Sequence, residues 1–122
     1  MPEYLPVLKP GTAVTLKASG AISGGQLVVV SGSGTVAAGS TATHAWVGVA
    51  SNDAATNDNV TIYTAGVQSC TAVGAITAGQ LVEPAASGGV APHTNGTNDF
   101  NVVGLALSTA ADGAKVRVRF TR

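Results

Sequence analysis

From Ala13 onward the chain alternates short apolar, β-branched runs with clusters of Gly, Ser, Asn and Asp, and no stretch keeps the 3.6-residue apolar period of a full helix. The runs predict strands over 13–18, 26–30, 45–51, 60–64, 67–71, 80–83, 101–107 and 115–121, with short pieces at 35–37 and 89–91. β-branched side chains suit a half-buried pleated surface, and the intervening residues supply the positive φ and local hydrogen bonds that turns need. Only the Ala-rich stretches 51–56 and 108–111 have the composition of a single helical turn. Short, evenly spaced strands of this kind predict an all-β protein, a small barrel or sandwich.

The pattern is written twice. ASGAISGGQLV over 18–28 returns as AVGAITAGQLV over 72–82, and VGVASNDAATNDNVTI over 47–62 returns as VGLALSTAADGAKVRV over 103–118. Equivalent residues lie 54 apart at first (Ala18 and Ala72) and 56 apart later (Val47 and Val103), so two residues are inserted in between, most simply in the polar stretch from His93 to Asp99. The expected architecture is two internally duplicated β units, one about 13–64 and the other about 67–121, in a single domain over 13–122. Each half alone is too short to bury a sufficient core, so the two are expected to cover one another's apolar faces. What recurs is packing residues and turn glycines.

The first twelve residues, MPEYLPVLKPGT, differ in kind. Pro2, Pro6 and Pro10 exclude a regular helix and favour an extended arm over 1–12. Such an arm either lies on its own core as a first edge strand or reaches a partner. In the second case its contact residues are Pro2, Tyr4, Leu5, Pro6, Val7, Leu8, Lys9 and Pro10.

Charged residues are 10% of the chain and the formal net charge is zero, so little of the surface is solvated by charge. Much of the exterior is therefore expected to be covered by partner chains, with contacts through Leu27, Val28, Val29 and Val30 or the face around Trp46. No apolar stretch has the length to span a bilayer, and the N-terminus lacks a signal-type run, so a soluble protein made in a cytoplasm is expected, without a membrane partner. Lys115, Arg117 and Arg119 alternate with Val116, Val118 and Phe120, lining one strand face with cations. Two readings stand: an edge strand guarded against aggregation, or contact with an acidic partner. Nucleic acid is a poor partner for a neutral chain with 4% aromatic residues.

Reactive chemistry is sparse. Cys70 is a lone cysteine whose counterpart is Leu16, which marks it as a small packing residue. His44 and His93 do not correspond between the halves, and His44 matches Phe100. No zinc spacing is present. The Asn52-Asp53 and Asn57-Asp58-Asn59 cluster lacks the calcium-loop pattern, and Ser31-Gly32-Ser33-Gly34 is a turn without the Lys-Ser/Thr of a phosphate loop. No catalytic residue, metal or cofactor is assigned, and the protein is not expected to be an enzyme. Two rival readings remain. A carbohydrate-binding or tail-fibre-associated β module would lean on Trp46, and a small hydrolase would pair His44 or His93 with Asp53 or Asp99.

The doubled Gly-Ala-Ile turn with Gly-Gln-Leu-Val, each copy followed by Val-Gly-Val/Leu-Ala and a closing strand, resembles the small capsid decoration, or cement, proteins of tailed bacteriophages, over about 13–120. The resemblance implies an all-β protein on the outer surface of the virion capsid, commonly a homotrimer, that stabilises the head by bridging major capsid protein subunits. It implies no catalytic residues, and it does not locate the contacts.

Overall fold

The computed structural model describes residues 13–121. Among these residues ten strands form two sets of five: β1 (Ala13–Ala18), β2 (Leu27–Gly32), β3 (Thr35–Ala38), β4 (Trp46–Ala50) and β5 (Asn59–Tyr63), then β6 (Val67–Thr71), β7 (Leu81–Pro84), β8 (Val90–Pro92), β9 (Gly104–Ala106) and β10 (Lys115–Phe120). The first set closes into a barrel in the order β1-β3-β2-β4-β5, with β5 returning to β1. The second runs β6-β10-β9-β7-β8. Its ends are joined by a single parallel bridge, Ala72 to Val90, where the first half has the parallel β1–β3 pairing that includes Ala18 to Val36.

The register of one half recurs in the other. Leu27 pairs with Val49 as Leu81 pairs with Leu105, and the isolated bridge Ile22–Ala54 is matched by Ile76–Ala110. The repeated glutamines explain the repeated turn: Gln26 Oε1 accepts from the Ser23 N–H at 2.8 Å, and Gln80 Oε1 from the Thr77 N–H at 2.8 Å. Gly25 and Gly79 both sit at φ 92°, a left-handed conformation that glycine adopts without a steric penalty. At Gly48 a Cβ would run into the Tyr63 carbonyl oxygen, and at Gly104 into that of Arg119. The Val-Gly-Val/Leu-Ala motif thus marks a close backbone crossing.

Period-two burial builds two cores. In the first half Ala18, Ile22, Val28, Val36, Ala50, Ala54, Val60 and Ile62 pack together. Their counterparts Ala72, Ile76, Val82, Val90, Ala106, Ala110, Val116 and Val118 all belong to the second core. That second core also takes in Leu27, Trp46 and Val49 from the first half, which lie on the opposite strand face from Val28 and Ala50. Trp46 meets Phe120 edge-to-face, with centroids 5.5 Å apart. Beside them the Gly88 N–H donates to the Gly39 carbonyl at 2.7 Å, and Gln26 Nε2 donates to the Ser87 carbonyl at 3.0 Å. The halves are therefore joined by an apolar contact with hydrogen bonds beside it.

The expectation that each half needs its neighbour to bury a core is corrected: the first half closes on a core of its own, and Leu27, Trp46 and Val49 make its apolar contact with the second. Two further sequence expectations change. The Ala-rich stretches 51–56 and 108–111 form no helical turn, because Ala54 and Ala110 are held in bridges to Ile22 and Ile76. Single 3-10 turns occur instead at Ala86–Gly88 and Asp99–Asn101. The last correction concerns β10, which is no edge strand: β6 pairs on one side and β9 on the other.

Candidate interaction surface

β10 reads Lys-Val-Arg-Val-Arg-Phe, and period two sends Val116, Val118 and Phe120 into the core while Lys115, Arg117 and Arg119 point out. Alternate residues of a strand lie about 6.6 Å apart, so the cations form an evenly spaced row. Lys115 Nζ donates to Thr71 Oγ1 at 2.9 Å. Arg119 is flanked across the strands by Val67 and Leu105. Among the described residues, no carboxylate lies within salt-bridge distance of a lysine or arginine. The acids serve elsewhere: Asp53 accepts from the Gly24 N–H, Asp58 from Ala55, Asp112 from Gly74 and Asp99 from Gly96, each closing a loop. The Asn52 to Asn59 cluster is likewise turn chemistry, with Asn52 Oδ1 accepting from the Thr61 N–H. With β10 inside the sheet, protection of an open edge no longer accounts for its cations.

Next to this row the outer face of the second half turns apolar. Leu81, Val102 and Leu105 are half-buried, and with Asn95, Asp99, Phe100 and Thr121 the first two line an open depression of about 550 Å³. Phe100 is 68% exposed, and its ring and that of His44 form a T-shaped pair with centroids 6.1 Å apart. Leu81, Val102 and Leu105 are the counterparts of Leu27, Trp46 and Val49. The first-half set is buried between the halves, whereas the second-half set is left on the surface.

The loop after β8, where the two extra residues fall, is tied down by His93. Its Nδ1 lies 2.7 Å from Glu83 Oε1 and its Nε2 2.9 Å from Asp99 Oδ1, with the side chain 1% exposed. The hydrogen bond to Asp99 raises the imidazole pKa above its ordinary 6.5, with Glu83 adding to the shift against the opposing effect of burial. The same bond lowers the Asp99 carboxyl below its ordinary 3.8, helped by the Gly96 N–H. The His93–Asp99 pairing that the hydrolase reading named is present, joined by Glu83, which sequence reasoning missed. Its signal was the hairpin register, since β7 and β8 pair Glu83 with Ala91, two residues before His93. Both ring nitrogens face carboxylates, so neither is directed at a nucleophile. Burial pushes the Cys70 thiol up to about 12, only partly offset by Lys115, so the thiolate that reactivity requires is suppressed.

The other candidates are dispersed. Val29 is half-buried against the second core and Val30 is 52% exposed, but Leu27 and Val28 are fully buried and Trp46 nearly so. Leu27, Val28 and Trp46 are therefore corrected from surface contacts to core residues of the chain itself. Burial also removes Trp46 as a platform for sugar stacking. Pro2, Tyr4, Leu5, Pro6, Val7, Leu8, Lys9 and Pro10 lie outside the described residues.

Residues 8–120 match the family model described as phage cement protein. This chain belongs to the phage cement protein family. It is accordingly a capsid-associated virion protein of a structural family. No curated protein matches its sequence. Among solved structures the cement protein is similar to the head fiber gp8.5 N base of bacteriophage phi29, at 19% identity and a TM-score of 0.66, covering 89% of this chain and 92% of that one. At that identity the likeness concerns the fold, and it extends over both halves. Among the described residues no helix is long and apolar enough to cross a membrane.

Proposed function

We propose that this protein attaches to the outer surface of the assembled phage head and stabilises it by bridging major capsid protein subunits, acting by contact and not by catalysis. The observation that carries the reading is family membership across nearly the whole described chain. The geometry is compatible with it: a compact β scaffold spends its carboxylates on its own loops, and keeps cations and apolar residues on the outside. Many copies on one lattice multiply modest contacts into firm attachment, so no deep pocket is required.

In this reading the arm over 1–12 supplies capsid contacts through Tyr4, Leu5, Val7 and Leu8, and the β10 cations meet acidic groups of the shell. The matching registers and cores of the halves support treating them as copies of one duplicated unit within a single domain. The protein works as a homotrimer, made in the host cytoplasm and carried on the virion.

Purified protein mixed with expanded and unexpanded heads is expected to co-sediment saturably and in a state-dependent manner. Failure to bind any head lattice overturns the reading. Deleting residues 1–10 is expected to abolish co-sedimentation while leaving the thermal midpoint nearly unchanged. Loss of both together returns the arm to the role of a structural edge strand.

A further inference from the structure

We propose that the outer face of the second half, built on Leu81, Val102 and Leu105, docks the first half of a second copy of this chain, so that copies associate head to tail. The inference deepens the homo-oligomer part of the proposed function and takes from it only the premise that copies associate; heads play no part in its test.

The chain contains its own precedent for what covers this face. In the first half the equivalent residues, Leu27, Trp46 and Val49, are packed into the second core, and the second-half residues at that seam include Ala85 beside Gly39, Gly88 against Gln26, and Phe120 against Trp46, all buried. Donor and receiver are different surfaces. The counterparts of these second-half residues in the first half are Ser31, Gly34 and Thr64, and Val30 adjoins Ser31. Val30, Ser31 and Gly34 are exposed, and Thr64 is half-buried.

The counterparts His44 and Phe100 meet one another, but the other contacts between the halves described here are not reciprocated. Gln26 donates to Ser87, and its side-chain stem lies against Gly88, whereas a Cβ at Gly34, the counterpart of Gly88, would meet nothing within 4 Å. A Cβ at Gly25 would approach Lys115 Nζ, whereas one at its counterpart Gly79 would meet nothing. A two-fold arrangement of the halves would repeat each contact in reverse. A head-to-tail arrangement leaves one donor face and one receiving face over, and those are the two left open here.

Two of the five exposed large apolar residues among those described lie on these faces. Val30, 52% exposed, marks the receiving face, and Phe100 overhangs the depression on the donor face. Uncovered apolar residues on a chain with few charges mark surfaces that bind. Head-to-tail contacts form a closed ring when the rotation between copies permits and a chain when it does not. A ring of three is the arrangement that would satisfy the proposed homotrimer.

Complementation tests this directly by sedimentation equilibrium. Val30→Glu blocks the receiving face, Leu105→Glu blocks the donor face, and Phe100→Glu, at a more exposed position on the donor side, guards against a folding defect in the second. Thermal unfolding verifies that each variant is folded. The unmodified protein is expected to associate at about 100 μM, and each variant to weaken association by about tenfold or more. An equal mixture of Val30→Glu with either donor-face variant is expected to give a one-to-one dimer and nothing larger, because one intact donor face meets one intact receiving face. A monomeric unmodified protein overturns the proposal, as do folded variants that assemble normally or a mixture that stays monomeric. None of these results bears on whether the protein binds heads.

Discussion

The two halves share strand order, turns and core positions, yet they present different outsides. β1 to β5 close fully, and that barrel turns Leu27, Trp46 and Val49 against its neighbour. β6 to β10 are joined at the ends by one bridge and leave their corresponding residues half-buried at the surface, together with three exposed cations where the first half has Asn59, Thr61 and Tyr63. Because the scaffold is the same, the cations are not a requirement of the fold: Thr61, the counterpart of Arg117, holds the equivalent central position and hydrogen-bonds Thr15 at 3.3 Å. The shared positions maintain the structure, and the departures from them are where binding is expected.

The sharpest way to break the comparison is through one equivalent pair on the two outer faces. Trp46→Ala, which empties the seam between the halves, is expected to destabilise by about 4 kcal/mol. Val102→Ala, at the matching but half-exposed position, should destabilise by about 1 kcal/mol or less. Equal losses in denaturant titrations would mean that the two faces are not in different environments.

The opposite result is expected where the halves agree. Gly48→Ala and Gly104→Ala each force a methyl group toward a backbone carbonyl, and each should destabilise by about 2–3 kcal/mol. A large effect at only one of the two would show that the close crossing is not shared.

His93 sharpens the comparison at a feature confined to the second half. His93→Gln is expected to lower stability by on the order of 1 kcal/mol through loss of its charge-assisted hydrogen bonds. Its raised pKa makes the stabilisation complete below the ordinary histidine value of 6.5 and lost as pH rises through the higher folded-state value. The lowered Asp99 pKa makes that carboxylate's contribution complete above its ordinary 3.8 and lost as pH falls through the folded-state value. The difference between the two proteins in thermal unfolding should therefore be greatest between pH 3.8 and 6.5 and shrink above that range. A constant difference into the alkaline range would remove the imidazolium from the account.

The smallest effect on stability is expected from the β10 cations. Lys115→Gln with Arg117→Gln and Arg119→Gln should change unfolding by under about 0.5 kcal/mol. In head co-sedimentation the same variant should lose affinity severalfold at low salt, and the gap should close as salt rises. Unaltered binding at low salt would leave the cations without the role given to them here.

Strand positions, turn glycines and the inward residues of each half were legible in the sequence because they are local, whereas a separate core in each half was not expected. Period two sorts Val116 from Arg117 without reference to any other strand, and a Gly-Gln turn closes on residues three apart. The pairing of His93 with Glu83 was less accessible, since it depends on hairpin register, and the position of β10 inside its sheet depends on neighbours from two other parts of the chain. The amino-acid sequence by itself determined an all-β chain written twice, with the inward residues of each copy marked. Only the tertiary structure decided the fate of the outward ones. Leu27 and Leu81 occupy the same Gly-Gln-Leu-Val motif, and one is buried while the other is left half open, because alternation says which way a side chain leaves its strand and not what stands on that side.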